Sequence, residues 1–279
     1  MDDSVIQEIA DLALAGSGQH MPLSRSYLVE ARLAPILRRE GFAEVSDLLA
    51  CLKARQYSKL HAETVAALTS KTTCFFRERA MLERLASHVL PMLADAAPDA
   101  PLRIWCAGGA GGHEAYSLAI LLQESETLRD RPVEILSTDI SEVMNEAARA
   151  GKFGHFDVQK GLSIHRLLTH FTRLETGEWQ VSPDLAARIG VRRHNLLDDA
   201  SGLGEFDVIL CRNVIKDMAA SAGARTLLNL ARQLTDGGVL VLGKDESATG
   251  LIEGLEPSRD VRGAFVRKVA RSALGLAAA

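Results

Sequence analysis

With 279 residues, a net charge of −4 and four scattered cysteines, the chain is long enough for one large α/β domain or two smaller ones. The weak acidity argues against a general nucleic-acid binder, and Cys51, Cys74, Cys106 and Cys211 form no CxxC pair and no zinc-finger spacing, so a reduced setting and no metal site are expected. The start, MDDSVIQEIADLALAG, is acidic where a signal peptide is basic, and no apolar run approaches the roughly 18 residues of a membrane span, so a soluble, cytoplasmic protein without membrane insertion is expected.

The first eighty or so residues read as helical. Leu28, Ala31, Ile36 and Leu37 are expected to mark one apolar face, and Val45, Leu48, Leu49 and Leu52 another beyond the break at Gly41. From Leu102 the pattern changes to short apolar runs, LRIWC, VEILSTD, IGVRRHN, FDVILCR and GGVLVLG, separated by helical ones. That alternation predicts a doubly wound, mainly parallel sheet. The seam is expected at AAPDAP, 96–101.

In such sheets ligands bind beyond the carboxyl ends of the strands, where the first strand turns into its helix. That turn here is AGGAGGHEAYS, with Gly108, Gly109, Gly111 and Gly112. Glycines let a ligand lie against the backbone, and N–H groups at the helix start are expected to bind its polar atoms. Counted from Gly109, the dinucleotide fingerprint wants a small residue where Glu114 stands, and a carboxylate there repels a pyrophosphate. It suits S-adenosylmethionine, which carries an ammonium and a sulfonium and no phosphate. Asp139, closing VEILSTD, is placed to accept hydrogen bonds from ribose hydroxyls, the competing role being a cap for the next helix, which Ser141 also offers. Asp139 lies about 30 residues beyond the glycines, where an NAD fold expects about 20, which disfavours an NAD-linked oxidoreductase. The motif expected after the fourth strand of nucleic-acid amino-group methylases is absent.

Six landmarks in order, TSKTTCFFRE, GGHEAYSLA, STDIS, NLL, ILCRNV and GGVLVLGKDES, resemble the CheR-type chemoreceptor glutamate methyltransferases from about residue 25 to about residue 250. FGHFDVQKGL is similar to a variant common in alphaproteobacterial members. The resemblance implies a small all-α domain (1–90), then a Rossmann-like S-adenosylmethionine-binding methyltransferase domain (91–279) carrying a small antiparallel β insertion (152–190). It implies cofactor contacts at Thr73, Arg77, Glu114, Asp139, Asn195, Leu196, Arg212 and Asn213. Arg77 would pair with a carboxylate, Glu114 oppose a cationic group, Asp139 hold the ribose, and Asn195 with Leu196 border the adenine. Phe75 and Phe76 read as core.

The chain departs from the family at Lys71 (usually Asn), at Gly111, His113 and Ala115 in the glycine turn, and in RNVIKDM, where Asp217 stands in place of a Tyr bordering the methyl-transfer site. The resemblance thus implies Arg77 and Asp217 as the catalytic positions, with Asp217 on the acceptor side and expected to repel an incoming carboxylate. The implied activity is methylation of glutamate side chains on a chemoreceptor or related signalling protein, by a monomer. The alternative that RNVIKDM raises is a catalytically weakened relative that binds cofactor or receptor and acts as a regulatory module. Residues 25–79 carry about ten Lys or Arg against about six acids, and Arg25, Arg32, Arg38 and Arg39 share one helical stretch, expected to dock on acidic receptor helices. The loop LETGEW is short and poor in glycine, so binding of a receptor tail peptide by the insertion is not expected.

Overall fold

The structure, a computed structural model, describes residues 2–21, 26–54 and 58–268. Four helices come first: α1 (Asp3–Ser17), α2 (Ser26–Glu40), α3 (Val45–Ala54) and α4 (Lys59–Leu68). On α1 the residues Ile6, Ile9, Ala10 and Ala13 recur at helical spacing and are buried. The helix stops at Gly18, whose φ of 73° lets its N–H return to the Leu14 carbonyl. Val45, Leu48, Leu49 and Leu52 of α3 are buried as expected. The face of α2 is rotated from the expected one. Val29, Leu33 and Ile36, an i, i+4, i+7 stripe, join the helical core, while Ala31 is exposed, Leu28 is half-buried and Leu37 packs against the core from its edge.

A strand-free segment leads to α5 (Arg79–Arg84), which passes through one π turn (Leu85–Val89) into α6 (Leu90–Ala96). Leu82, Leu85, Val89 and Leu90 belong to the apolar cluster of the sheet, not to that of α1–α4. The stretch 79–90, read from sequence with the helical domain, is thus packed on the sheet.

The sheet is built from β1 (Leu102–Ala107), β2 (Val133–Asp139), β6 (Ile189–Arg193), β7 (Phe206–Cys211), β8 (Leu234–Leu242), β9 (Leu255–Pro257) and β10 (Ala264–Arg267), in the order β6-β2-β1-β7-β8-β10-β9. The first five pair in parallel, and β10 and β9 close the edge antiparallel. β1 and β7 lie at the centre with both faces covered, which is why LRIWCA and FDVILC read as nearly continuous apolar runs. Helices α7 (His113–Glu124), α8 (Glu142–Ala150) and α12 (Ala220–Arg232) make the crossovers.

Between α8 and β6 lies the insertion, with β3 (Lys152–Phe153), β4 (Phe171–Arg173) and β5 (Trp179–Val181) forming a separate antiparallel sheet in the order β3-β5-β4. Short helices α9 (His155–Gln159), α10 (Ile164–His170) and α11 (Pro183–Ala186) flank these strands. The insertion is tied down by aromatic contacts. Phe75 lies 4.8 Å from the Phe153 ring and 5.6 Å from that of Phe171. Phe75 and Phe76 are 0% and 4% exposed, core residues as read from sequence. Among the described residues no helix is long and apolar enough to cross a membrane.

Candidate active site

The site forms where β1, β2 and β7 end. Gly109 crosses so close to β2 that a Cβ there would sit 2.3 Å from Ser137 Oγ, and Gly112 opens α7 at a φ of 86°. The turn's amides are used differently from the expectation. Gly108 and Gly109 donate to the Thr138 carbonyl, Ala110 donates to Asp139 Oδ2, and Gly112 donates to the Gly109 carbonyl. Four N–H groups thus fasten the turn to β2 and to itself, because a buried donor needs a partner. The N–H groups of Gly108, Gly109 and Gly112 are thus used within the protein, where these glycines serve close approach and φ.

Two adjoining recesses open here, sharing Ser70, Gly108 and Val214. The first is bordered by Asp139, Asn195 and Leu196, and the second by Thr73, Arg77, Glu114, Arg212 and Asn213. All eight cofactor-contact residues named from the sequence therefore come together, although they are drawn from five separate stretches of chain. Each recess encloses about 40 Å³, room for no more than a few waters, so the cleft must widen to admit a nucleoside-sized ligand. Residues 16–20 cover the first recess. His20 N–H donates to the Asp217 carbonyl at 2.8 Å, Ala219 N–H donates to the Gly18 carbonyl at 2.8 Å, and Gln19 Oε1 accepts from Ser70 N–H at 3.0 Å.

The second recess is organised by charge. Arg212 is 7% exposed and lies between two carboxylates, with Nη1 2.5 Å from Glu114 Oε2 and Nη2 3.4 Å from Glu78 Oε2. Its Nη2 also donates to the Arg77 carbonyl. Burial works against the guanidinium charge, but Glu114 and Glu78 outweigh it and hold the Arg212 pKa above the ordinary arginine value. Burial likewise works to raise Glu78, yet Arg212, the Lys244 N–H and Asn213 keep it below the ordinary carboxylate value. The trio Glu114, Arg212 and Glu78 carries a net charge of −1. The four non-glycine residues with positive φ among the described residues, Phe76, Glu78, Ala110 and Asn213, all lie on the segments that build this site. Such backbone persists only where its surroundings over-determine it, and it concentrates at functional sites.

At the first recess, burial pushes the Asp139 carboxyl up, opposed by the N–H groups of Ser141 and Ala110 and by the Lys71 ammonium. Both Asp139 oxygens are engaged by backbone, Oδ1 accepting from Ser141 N–H and Oδ2 from Ala110 N–H. Ser141 occupies the cap position of α8, but its side chain makes no capping bond. Lys71, the family departure, lines the second recess, and burial lowers its pKa while Asp139 acts to raise it.

Two expected roles are rearranged. The Asn195 amide donates from Nδ2 to the Gly16 carbonyl and accepts at Oδ1 from Leu197 N–H, so it pins the covering segment. Asp217 lines neither recess. Its charge acts on Arg32 of α2, raising a guanidinium pKa that burial lowers. The basic stretch is partly spent as well. Arg32 donates to the Leu68 carbonyl, Arg39 pairs with Glu40 and Glu63, and Arg25 lies outside the described residues.

Sequence reading missed Glu78, although it closes the quoted TSKTTCFFRE, because its positive φ and contact with Arg212 leave no trace in spacing. It also missed Ser17 and Gln19, about 180 residues from the Asn195 they neighbour, and His194. Three of the eight buried side-chain polar atoms lacking a partner among the described residues, Arg212 Nε, Asn213 Oδ1 and His194 Nε2, belong to residues lining the recesses. Orphaned groups at one place point to a polar ligand.

A family description, "CheR methyltransferase, SAM binding domain", matches residues 71–258. The chain belongs to the CheR methyltransferase family. It is 34% identical over 239 residues to a chemotaxis protein methyltransferase of Vibrio parahaemolyticus, covering 85% of this chain and 86% of that one. It is 34% identical over 232 residues to chemotaxis protein methyltransferase 1 of Pseudomonas aeruginosa, with 82% and 84% covered. A chemotaxis protein methyltransferase of Listeria monocytogenes is 32% identical over 230 residues, with 82% and 84% covered. The CheR domain binds S-adenosylmethionine, and the orphaned donors and acceptors, the trio of net charge −1 and the carboxylate at the end of β2 fit that molecule.

Proposed function

We propose that this chain transfers a methyl group from S-adenosylmethionine to the side-chain carboxylates of glutamates on a chemoreceptor, giving glutamyl methyl esters. The observation that carries the reading is the meeting of all eight contact residues in two adjoining recesses at the carboxyl ends of β1, β2 and β7. When bound, the cofactor supplies an electrophilic methyl on a sulfonium. The residues present divide the remaining work. Asp139 takes the ribose hydroxyls, Leu196 borders the adenine, and Arg77 and Lys71 offer cations to the methionyl carboxylate. The Glu114–Arg212–Glu78 trio supplies the negative field that favours an ammonium and a sulfonium.

The acceptor needs no base. A glutamate with a pKa of about 4.3 is ionised at neutral pH. Its carboxylate oxygen forms the new bond to the methyl carbon as the carbon–sulfur bond breaks, and the bonding pair passes to sulfur, leaving S-adenosylhomocysteine. The protein aligns oxygen, carbon and sulfur and shields the charges as they neutralise each other. The relatives are named for chemotaxis, and a cytoplasmic monomer acting on the cytoplasmic part of a receptor is the form in which this reading places the chain.

The test is incubation with methyl-labelled cofactor and cytoplasmic fragments of methyl-accepting receptors from the same cell. The reading expects label in the receptor band that is released as methanol in mild base. Label stable to base, or label in nucleic acid, would overturn it.

A further inference from the structure

On the expected docking face of α2 Arg39 is ion-paired with Glu40 and Glu63, and a second basic surface stands beside the site. A groove of about 810 Å³ runs between the start of α5, the loop after β8 and the hairpin of β9 and β10. Its floor is apolar, with Leu242, Ala264 and Phe265 buried and Met81 half-buried. Arg79, Arg84, Lys244 and Arg262 stand exposed on its rim.

Among the described residues none of these four cations has a carboxylate within ion-pair distance, while Arg79 donates to the Gly161 carbonyl and lies 5.7 Å from the Phe76 ring centroid, and Arg84 donates to the Asp260 carbonyl. Two of the three carboxylates that line the groove are already engaged. Glu78 holds Arg212 and Asn213, and Glu246 accepts from the N–H groups of Asn213, Gly243 and Lys216. Asp260 is the third. The groove lining thus carries four cations without an ion-pair partner and three carboxylates, of which Glu78 faces Arg212 and Glu246 is turned to backbone N–H groups, leaving a small positive excess at the rim. Glu78 is also its wall toward the site, since the carboxylate lining the groove is the one that pairs with Arg212 in the second recess.

We propose that this groove docks the acidic, amphipathic segment of the acceptor protein that flanks the glutamate to be methylated. The proposal rests on the methyl-transfer reading for the identity of the acceptor. Charge and shape carry the rest. The glutamate must enter the second recess, so the chain on one side of it has to lie over the adjoining surface. An apolar floor with a cationic rim takes a segment whose apolar residues face in and whose carboxylates face the rim. Rim cations act mainly on encounter and ground-state binding, so their loss appears in KM and in salt dependence.

The experiment uses the full chain carrying both Arg84→Glu and Arg262→Glu, residues outside the methyl-transfer site, with Arg38→Glu on α2 as the comparison. Transfer to a receptor cytoplasmic fragment is followed as a function of fragment and salt concentration, and S-adenosylhomocysteine affinity is measured by calorimetry as a check on the fold. The groove variant is expected to raise KM about tenfold or more at low salt, to leave kcat and homocysteine-analogue affinity within twofold, and to flatten the salt dependence. Arg38→Glu is expected to change KM far less. An unchanged KM in the groove variant with cofactor affinity retained would overturn the proposal. Should the wild-type chain transfer no methyl, direct binding of the fragment by fluorescence anisotropy decides separately: binding lost in the groove variant supports the groove, and equal binding overturns it. Salt-dependent binding of the wild type to phosphatidylserine vesicles but not to the fragment would assign the groove to a membrane surface and overturn the proposal too.

Discussion

His113 opens α7 directly behind the glycine turn, and protonating it should loosen the cofactor loop. The ring is 9% exposed and packs 4.8 Å from the Phe75 ring and 4.9 Å from that of Phe153, and its Nδ1 has no partner among the described residues. Burial lowers its pKa from 6.5 to about 4, with Asp157 opposing and Lys160 assisting. A proton there would also place positive charge at a helix N-terminus, where the backbone dipoles oppose it. The unfolded chain takes up this proton as pH falls through 6.5, whereas the folded chain resists until about 4. Stability is therefore lost as pH falls across that window. At about 1.4 kcal/mol per pH unit the loss reaches roughly 3 kcal/mol below pH 4 and roughly 2 kcal/mol at pH 5. Urea unfolding of the wild type and of His113→Gln at pH 7.5 and pH 5.0 isolates the effect, because other titrating groups act on both proteins alike. The wild type should lose about 2 kcal/mol more than the variant between the two pH values. Equal losses would refute the assignment of a buried, neutral His113.

Glu78→Gln changes the trio's charge from −1 to 0, so binding of the cationic S-adenosylmethionine should weaken by about 1 kcal/mol more than binding of neutral S-adenosylhomocysteine. Calorimetric titration of both ligands checks this, and equal changes would remove the electrostatic role. Arg212→Met strands two carboxylates beside a buried position and should destabilise the fold by about 3 kcal/mol in chemical denaturation. Asp139→Asn keeps an acceptor for one of the two backbone N–H groups that an Ala variant would orphan, and should weaken S-adenosylhomocysteine binding by about 1.5–3 kcal/mol, the range for hydrogen bonds to a charged group. Because Asp217 acts on Arg32 and lines neither recess, Asp217→Tyr should change single-turnover methyl transfer by no more than about twofold. A rise of tenfold or more would restore the repulsion expected from sequence.

The parallel sheet was legible because its central strands are buried on both faces and so print uninterrupted apolar runs, as in LRIWCA and FDVILC. The antiparallel edge was not. Leu255–Pro257 and Ala264–Arg267 are too short to show a period, and they exist through pairing with β8 and with each other. The face of α2 was misread because Leu28 and Leu37 are apolar yet flank the Val29–Leu33–Ile36 stripe that the partner helices select. At the site, residue types at landmark positions located the two recesses, since chemistry fixes an Asp at the end of β2 and a Glu after the glycine turn. What those side chains touch was not readable. Arg212 bridging Glu114 to Glu78, and Asn195 pinning Gly16, are contacts across 98, 134 and 179 residues of chain that only the packing of α1 and α5 against the sheet creates.

The claim that the two recesses are one S-adenosylmethionine site is tested most directly by the crystal structure of the chain with S-adenosylhomocysteine. The account predicts the ribose on Asp139, the adenine beside Leu196, the amino-acid end among Arg77, Lys71 and Glu114, and residues 16–20 displaced from the first recess. Ligand bound instead in the groove of about 770 Å³ beside Glu8, Lys53 and His61, with the recesses still closed, would contradict it.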